Sequence, residues 1–227
     1  MDSLINPQDP PSRKLKEAKE KVLKISHFLK LSFKWFLKAY TFKEQSRIAE
    51  ELMEKLGVKD AHILAHDYGV STAQELLWRQ EGGKLSFKIK SIAFLNGGLV
   101  PAHRPILLQK LLLNEYLGAI LSSLMSKAMF FRSVKTIFGK STQPGKQVLE
   151  DFWHVISFNE GRMISHLLIG YIEERKVSFP RWISSMKSTQ VPLIYICGPA
   201  DPVSGKHVAE YVSFDTLSIL ICSLIFL

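Results

Sequence analysis

The sequence has few cysteines and no long apolar run. Cys197 and Cys222 are the only cysteines among 227 residues, which is too few for a disulfide framework and gives no metal-ligand spacing. No apolar run reaches the roughly 20 residues that a helix needs to cross a bilayer. The first residues also lack the pattern of a secretory signal peptide. We therefore expect no disulfide-stapled domain, no bound metal and no membrane-spanning helix.

One motif joins an apolar strand to a helix through a very short turn. The strand and turn run from Ala61 to Gly69, and a helical pattern follows from Ser71 to Arg79. Such a sharp turn needs small residues at Ala65 and Gly69, because larger side chains would clash with the neighbouring strand and helix. It presents the central Asp67 as a nucleophile at the top of the sheet. A carboxylate is ionised at pH 7, so it can attack carbon directly and form an ester that water then hydrolyses.

A second motif lies near the end of the chain. The apolar, β-branched run from Val191 to Cys197 predicts a buried parallel strand, and the loop Gly198-Pro199-Ala200-Asp201-Pro202 follows it. Catalytic groups of open α/β sheets lie at the carboxyl ends of the strands. Asp201 therefore stands at a position that suits a catalytic role.

Several segments resemble one superfamily. Ala65 to Gly69 is similar to the elbow of epoxide hydrolases and haloalkane dehalogenases, which are α/β-hydrolases. More narrowly, the chain resembles the mesoderm-specific transcript family of animals. The matching strings are Tyr40 to Gln45, Ala73 to Leu77, Ser91 to Gly98, His103-Arg104-Pro105 with Leu107 to Leu112, and Gly198 to Pro202.

The resemblance implies a partial α/β-hydrolase fold with a mostly parallel sheet. Residues 40–100 and 187–227 would form the core, residues 101–186 an inserted helical cap, and residues 1–39 a separate amino-terminal segment. The implied activity is hydrolysis of an epoxide, ester or similar small apolar substrate, without metal or organic cofactor. The implied location is the endoplasmic reticulum membrane, with the cytoplasm as the alternative.

The resemblance also implies a role for individual residues. Asp67 would be the nucleophile, Asp201 the acid that orients a catalytic histidine, and the Tyr68 N–H an oxyanion donor. The cap tyrosines Tyr171 and Tyr116 could polarise a substrate oxygen, and Asn96 could support the site from its strand end. Substrate-binding candidates are thus Tyr171, Tyr116 and Asn96. Tyr68 replaces the tryptophan usual in dehalogenases, which argues against a halide site.

Plainer interpretations stay open for the same residues. Each tyrosine could be a buried aromatic with a satisfied hydroxyl. Asn96 precedes two glycines and could serve the turn alone, and Asp67 could be a helix N-cap. Ser71 superficially fits a serine-nucleophile signature, but it would lie one turn into the helix.

Two departures from the family pattern predict impaired catalysis. No histidine follows the expected strand from Thr216 to Leu220, and His207 lies only six positions after Asp201. Before Tyr40 there is no His-Gly loop, whose N–H donor is commonly worth about 3 kcal/mol in the transition state. We therefore expect a fragment or variant isoform. The alternative function is a non-catalytic binding or membrane-associated interaction protein.

The amino-terminal segment is strongly basic. From Met1 to Lys43 there are ten Lys or Arg against four Asp or Glu, which supplies +6 of the net +9. From Lys14 to Phe42 apolar residues recur at helical spacing, with lysines on another face. This amphipathic helix could pack on the sheet or lie on an anionic membrane surface. We expect no nucleic-acid binding, because no recognition module accompanies the charge.

Other elements follow from periodicity. A helix is expected from Arg47 to Leu56, ending at Gly57, and a strand from Lys88 to Leu95. The region from Pro101 to Met186 reads as helical, with breaks near Gly118, Gly139 to Gly145, Gly161 and Pro180. Beyond the last strand, Ile221 to Leu227 would cover the core or lie exposed.

Overall fold

The computed structural model describes residues 40–101, 104–114, 117–214 and 220–223. The predicted basic helix falls almost wholly outside these residues, as do His103 and Tyr116. The proposed division into segment, core and cap stays a prediction.

The described chain alternates strands and helices in its first half. The elements are α1 Phe42–Lys55, β1 Asp60–His66, α2 Tyr68–Glu81 and β2 Lys88–Leu95. The helical region then contains α3 Leu107–Leu112, α4 Gly118–Leu124, α5 Lys127–Lys135, α6 Lys146–Ser157, a 3₁₀ segment Phe158–Ile164, α7 Ser165–Leu168 and α8 Tyr171–Ser188. The last elements are β3 Leu193–Cys197, α9 Lys206–Phe214 and β4 Leu220–Ser223. The predicted strand Lys88–Leu95 is confirmed.

The four strands form one parallel sheet in the order β1-β2-β3-β4. Ala65 pairs with Phe94, and Leu95 pairs with Ile196. Parallel pairing puts the carboxyl ends of the strands at one edge, so the loops after His66, Leu95 and Cys197 meet there. The α/β class with a parallel sheet is confirmed.

Helix α1 begins five residues before the predicted Arg47. Thr41 caps it, since the Glu44 N–H donates to its side chain, and the Glu174 carboxylate accepts from the Phe42 N–H at 2.7 Å. Gly57 ends the helix with a φ of +70°, a conformation that glycine adopts without steric cost.

Helix α8 connects the helical region to the sheet layer by packing on α2. The Glu75 carboxylate on α2 is buried and accepts a hydrogen bond from Trp182 Nε1 at 2.7 Å and from Arg181 Nη2 at 2.6 Å. An apolar cluster lies beside these hydrogen bonds and consists of Phe42, Phe179 and Trp182. A buried carboxylate is costly unless it is paired, so these bonds fix the position of α8 on α2.

The predicted break near Pro180 is wrong. Helix α8 runs through this proline for 18 residues. Proline removes one intrahelical hydrogen bond, but the helix is anchored on both sides of it by the buried Phe179 and Trp182. Tertiary packing therefore overrides the local signal.

The last strand also differs from the prediction. We expected it from Thr216 to Leu220, whereas β4 covers Leu220–Ser223 and pairs with Ile194 to Cys197 of β3. The apolar sequence at the end of the chain has no turn residue or polar alternation that would set a strand register. Pairing with β3 therefore determines that the strand extends to Ser223. Residues 215–219 lie outside the described part of the chain.

The smaller helices pack around a second apolar cluster. Its buried members are Leu112, Met125, Ile169 and Ile172. None of the described helices is long and apolar enough to span a membrane.

Candidate active site

Asp67 occupies a strained turn between β1 and α2. Its φ of 49° and ψ of −111° are rare for a residue with a side chain, and such backbone strain costs of order 1–3 kcal/mol. The Asp67 N–H donates to the Asn96 carbonyl at 2.8 Å. The side chain is exposed and makes no capping hydrogen bond, so helix capping does not account for this aspartate.

The turn depends on Gly97 rather than on Gly69. A Cβ placed on Gly97 would lie 2.7 Å from the Asp67 carbonyl oxygen and 2.7 Å from Val70 Cγ2. A Cβ on Gly69 would meet no described atom within 4 Å. The predicted clash at Gly69 is therefore wrong for the described residues, while Ala65 is indeed buried in the core.

Tyr68 follows the turn and begins α2. Its N–H has no acceptor among the described residues, as expected for the first N–H of a helix. Its ring contacts Phe42 at 4.5 Å and Tyr171 at 5.4 Å between centroids. Burial raises the pKa of Tyr68 to about 12, so the hydroxyl is neutral at pH 7.

Asn96 and Asp201 meet at the carboxyl edge of the sheet. Asn96 Nδ2 donates to Asp201 Oδ2 at 2.6 Å, and Asn96 Oδ1 accepts from the Gly198 N–H at 2.8 Å. The other Asp201 oxygen accepts from the N–H groups of Val203 at 2.7 Å and Ser204 at 3.1 Å. Asn96 thus joins the ends of β2 and β3, which is more than turn chemistry.

No described histidine contacts the Asp201 carboxylate. His207, the nearest in sequence, has Nε2 3.0 Å from the Val203 carbonyl oxygen instead. The orienting role of Asp201 remains a prediction.

Tyr171 is placed beside the elbow by the first turn of α8. Its hydroxyl accepts a hydrogen bond from Gln109 Nε2 at 3.2 Å, which leaves the hydroxyl proton to donate elsewhere. Burial raises the pKa of Tyr171, the Arg175 guanidinium opposes this shift, and the Asp67 carboxylate adds to it. Tyr171 is therefore close enough to Asp67 for the two side chains to interact electrostatically, and its role as a substrate-binding residue stays a prediction.

Arg175 is a residue that the sequence analysis missed. It lies one helical turn after Tyr171 and is only 2% exposed. Its Nε donates to Ser71 Oγ at 2.7 Å, and its Cζ lies 4.7 Å from the Tyr171 ring centroid and 5.4 Å from that of Phe42. Burial lowers the pKa of Arg175, while Tyr171, Asp67 and Tyr68 oppose that shift. The only signal in the sequence was its four-residue spacing from Tyr171.

Ser71 is buried within α2, and its Oγ accepts the hydrogen bond from Arg175 Nε. It does not lie at the tip of the turn, which is where a serine nucleophile would be needed. Within the described residues, no group of three or more His, Cys, Asp or Glu side chains is arranged to hold a metal ion.

Comparisons with known proteins bear on this arrangement. No protein-family model matches the chain. The mesoderm-specific transcript protein of Mus musculus is 41% identical over 172 residues, which is 73% of this chain and 51% of that protein. The homolog of Homo sapiens shows the same identity and coverage. The chain thus spans about half the length of the curated relatives it matches.

A more distant relative is the "Putative hydrolase LipZ" of Mycobacterium tuberculosis strain H37Rv. It is 31% identical over 172 residues, covering 74% of this chain and 59% of that protein.

Solved structures share the fold at low sequence identity. Haloalkane dehalogenase DbeA from Bradyrhizobium elkani has a TM-score of 0.62 and 15% identity, with 82% of this chain and 66% of that chain covered. An α/β-hydrolase-fold protein from Burkholderia ambifaria has a TM-score of 0.63 and 11% identity, with 82% and 67% covered. The chain has an α/β-hydrolase fold. Its sequence relatives are the mesoderm-specific transcript proteins, so the predicted resemblance is confirmed.

The α/β-hydrolase fold bears on the role of the elbow. In this fold a sharp turn between a strand and the following helix carries the nucleophile. The strand and helix on either side of Asp67 are β1 and α2, and the loops that carry Asn96 and Asp201 lie at the same sheet edge.

Proposed function

We propose that the chain carries the nucleophile half of a hydrolase site that opens an epoxide, ester or similar apolar substrate through Asp67. The α/β-hydrolase fold and the similarity to a putative hydrolase support hydrolysis in general. The observation that carries the finer proposal is the Asp67 backbone, which is held at a φ of 49° with its carboxylate exposed. Strain of this kind persists where the surrounding structure enforces it, and it clusters at functional sites.

The first step is attack of an Asp67 carboxylate oxygen on an epoxide carbon. A carbon–oxygen bond forms as the ring carbon–oxygen bond breaks, and the negative charge moves to the ring oxygen. Tyr171 can donate its hydroxyl proton to that oxygen, because it is neutral at pH 7 and lies close to the elbow. The product of this step is an ester of Asp67.

The second step is hydrolysis of that ester. The Tyr68 N–H, which has no described acceptor, can donate to the tetrahedral oxyanion. The attacking water must lose a proton to a base, and the described histidines do not contact Asp201. We therefore propose that this step is slow in the present chain.

The surroundings of Asp67 favour an apolar substrate body. The rings of Phe42, Tyr68 and Tyr171 contact one another beside the elbow, and ligand sites are generally lined by such side chains with few polar groups.

The test is intact-mass spectrometry after incubation with 1,2-epoxyhexane. We expect one adduct with the mass of the epoxide, lost in Asp67→Asn. Asp60→Asn is the matched control, because Asp60 is an exposed aspartate at the start of the strand that precedes Asp67, and it should retain the adduct. An adduct of equal yield in Asp67→Asn would refute the assignment.

A second candidate is a binding or membrane-associated interaction protein without turnover. Three hydrogen bonds to the Asp201 carboxylate favour this candidate. The same bonds would hold the loop in place if Asp201 had no catalytic role. We propose an anionic membrane surface as partner and the endoplasmic reticulum membrane as location, on the basic amino-terminal segment and the family resemblance.

Co-sedimentation with anionic vesicles tests that candidate. Each basic residue near an anionic surface contributes about 1 kcal/mol, so the full chain should bind better than a chain that begins at Tyr40. Equal binding by both would rule out the segment as the anchor.

A further inference from the structure

Arg175 has two donor groups that the described structure leaves unused. Its Nη1 and Nη2 atoms are buried, and neither has a hydrogen-bond partner among the described residues. The side chain is otherwise well fixed, with Nε bonded to Ser71 Oγ at 2.7 Å. Buried polar groups are nearly always paired, so an unpaired guanidinium needs an explanation such as a ligand.

The groups around the guanidinium do not supply an acceptor. The Phe42 and Tyr171 rings offer only their faces, with centroids 5.4 and 4.7 Å from Arg175 Cζ. The neighbouring Glu174 carboxylate is occupied by the N–H groups of Phe42 and Lys43. A Cβ added at Gly98 would lie 2.5 Å from Arg175 Cζ, so the loop after β2 approaches the guanidinium closely without covering it with a side chain.

We propose that Arg175 binds a carboxylate of the substrate. Two neighbouring N–H donors on a planar guanidinium match the two oxygens of a carboxylate, which gives a bidentate and directional contact. The substrate class is then an apolar acid, whose carboxylate rests on Arg175 while its reactive carbon faces Asp67. This inference rests on the proposed function, because it places the ligand at the same site.

Access to Arg175 requires a small movement. Neither Nη atom contacts solvent, so a ligand must displace a covering ring. Phe42 is fully buried, whereas Tyr171 is only partly buried. Tyr171 is therefore the ring with room to move, and it is also the proposed proton donor.

Calorimetric titration of the full chain at pH 7 with butanoate tests the proposal, with the neutral isostere butanamide as a second probe. Hydrogen bonds to charged groups contribute enough to give at least about tenfold tighter binding of butanoate. Arg175→Gln should remove this preference, and Arg175→Lys should weaken it because the fork is lost. Lys176→Gln is the matched control, since Lys176 is an exposed cation on the same helix.

The outcomes separate this inference from the proposed function. Asp67→Asn should bind butanoate equally or more tightly, since a repelling charge is removed, even if no covalent adduct ever forms on Asp67. The proposal is overturned if the wild-type chain shows no preference for butanoate, if chloride binds as tightly, or if folded Arg175→Gln and Arg175→Lys both keep the preference. Circular dichroism identifies folded variants, and Arg175→Lys carries the test if Arg175→Gln does not fold.

Discussion

The side-chain amide of Asn96 donates a hydrogen bond to Asp201 Oδ2 at 2.6 Å. The same amide accepts from the Gly198 N–H, so one side chain holds the loops after β2 and β3 together. Whatever Asp201 does in chemistry, its position depends on Asn96.

Replacing Asn96 by aspartate should turn this bond into a repulsion. The two carboxylates would face each other at neutral pH and less so in acid, where one is protonated. We expect Asn96→Asp to lower the free energy of unfolding more at about pH 7 than at about pH 4. Asn96→Ala, which only removes hydrogen bonds, should cost about 1–3 kcal/mol at both pH values. Denaturant titrations at both pH values check this, and equal losses in Asn96→Asp would contradict the predicted repulsion.

Glu174 should make stability depend on pH. Burial raises its pKa, although the N–H groups of Phe42 and Lys43 act in the opposite direction. A raised folded-state pKa contributes stability below the unfolded-state pKa, and this contribution is lost as pH rises through the folded-state pKa. The wild-type chain should therefore lose stability relative to Glu174→Gln between about pH 4 and about pH 7. Glu173→Gln, at the exposed neighbouring position, is the control, and a parallel pH dependence of all three chains would refute the prediction.

Pro180 should be replaceable with a gain in stability. It is exposed inside α8, where a proline costs up to about 3 kcal/mol relative to alanine. Pro180→Ala restores a backbone donor while Phe179 and Trp182 keep their packing, so we expect a higher melting temperature. Val177→Ala, on the same helix and 82% exposed, should change it little. A lower melting temperature in Pro180→Ala would show that the proline shapes the packing of α8.

Removing residues 221–227 should destabilise the sheet. The deletion cuts β4 after its first residue and removes the pairings of Tyr195, Ile196 and Cys197 with it. It also exposes the edge of β3, and unpaired edges promote aggregation. We expect a lower melting temperature and a lower soluble yield. An increase in both would mean that the tail does not contribute to the sheet.

Short-range chemistry made part of this structure predictable. The apolar run before Asp67, the buried Ala65 and the loop after β3 carry local information, and the sequence therefore predicts the first three strands and the elbow. The need for Gly97 was missed because it arises from contact with Val70 across the turn.

Long-range packing accounts for the rest. Arg175 lies within the charged run Glu173 to Lys176, and it is buried because α8 packs on α2. The extension of β4 to Ser223 depends on pairing with β3, and the continuity of α8 through Pro180 depends on buried neighbours. None of these can be predicted from spacing alone.

The central claim is that Asp67 forms an ester which this chain hydrolyses slowly. The most direct measurement is peptide mapping by mass spectrometry after exposure to 1,2-epoxyhexane and removal of the excess, with and without hydroxylamine, which cleaves esters. The account predicts an adduct on the Asp67 peptide that persists in buffer and is lost with hydroxylamine. A hydroxylamine-resistant adduct on another residue, or steady release of diol over many turnovers, would contradict it.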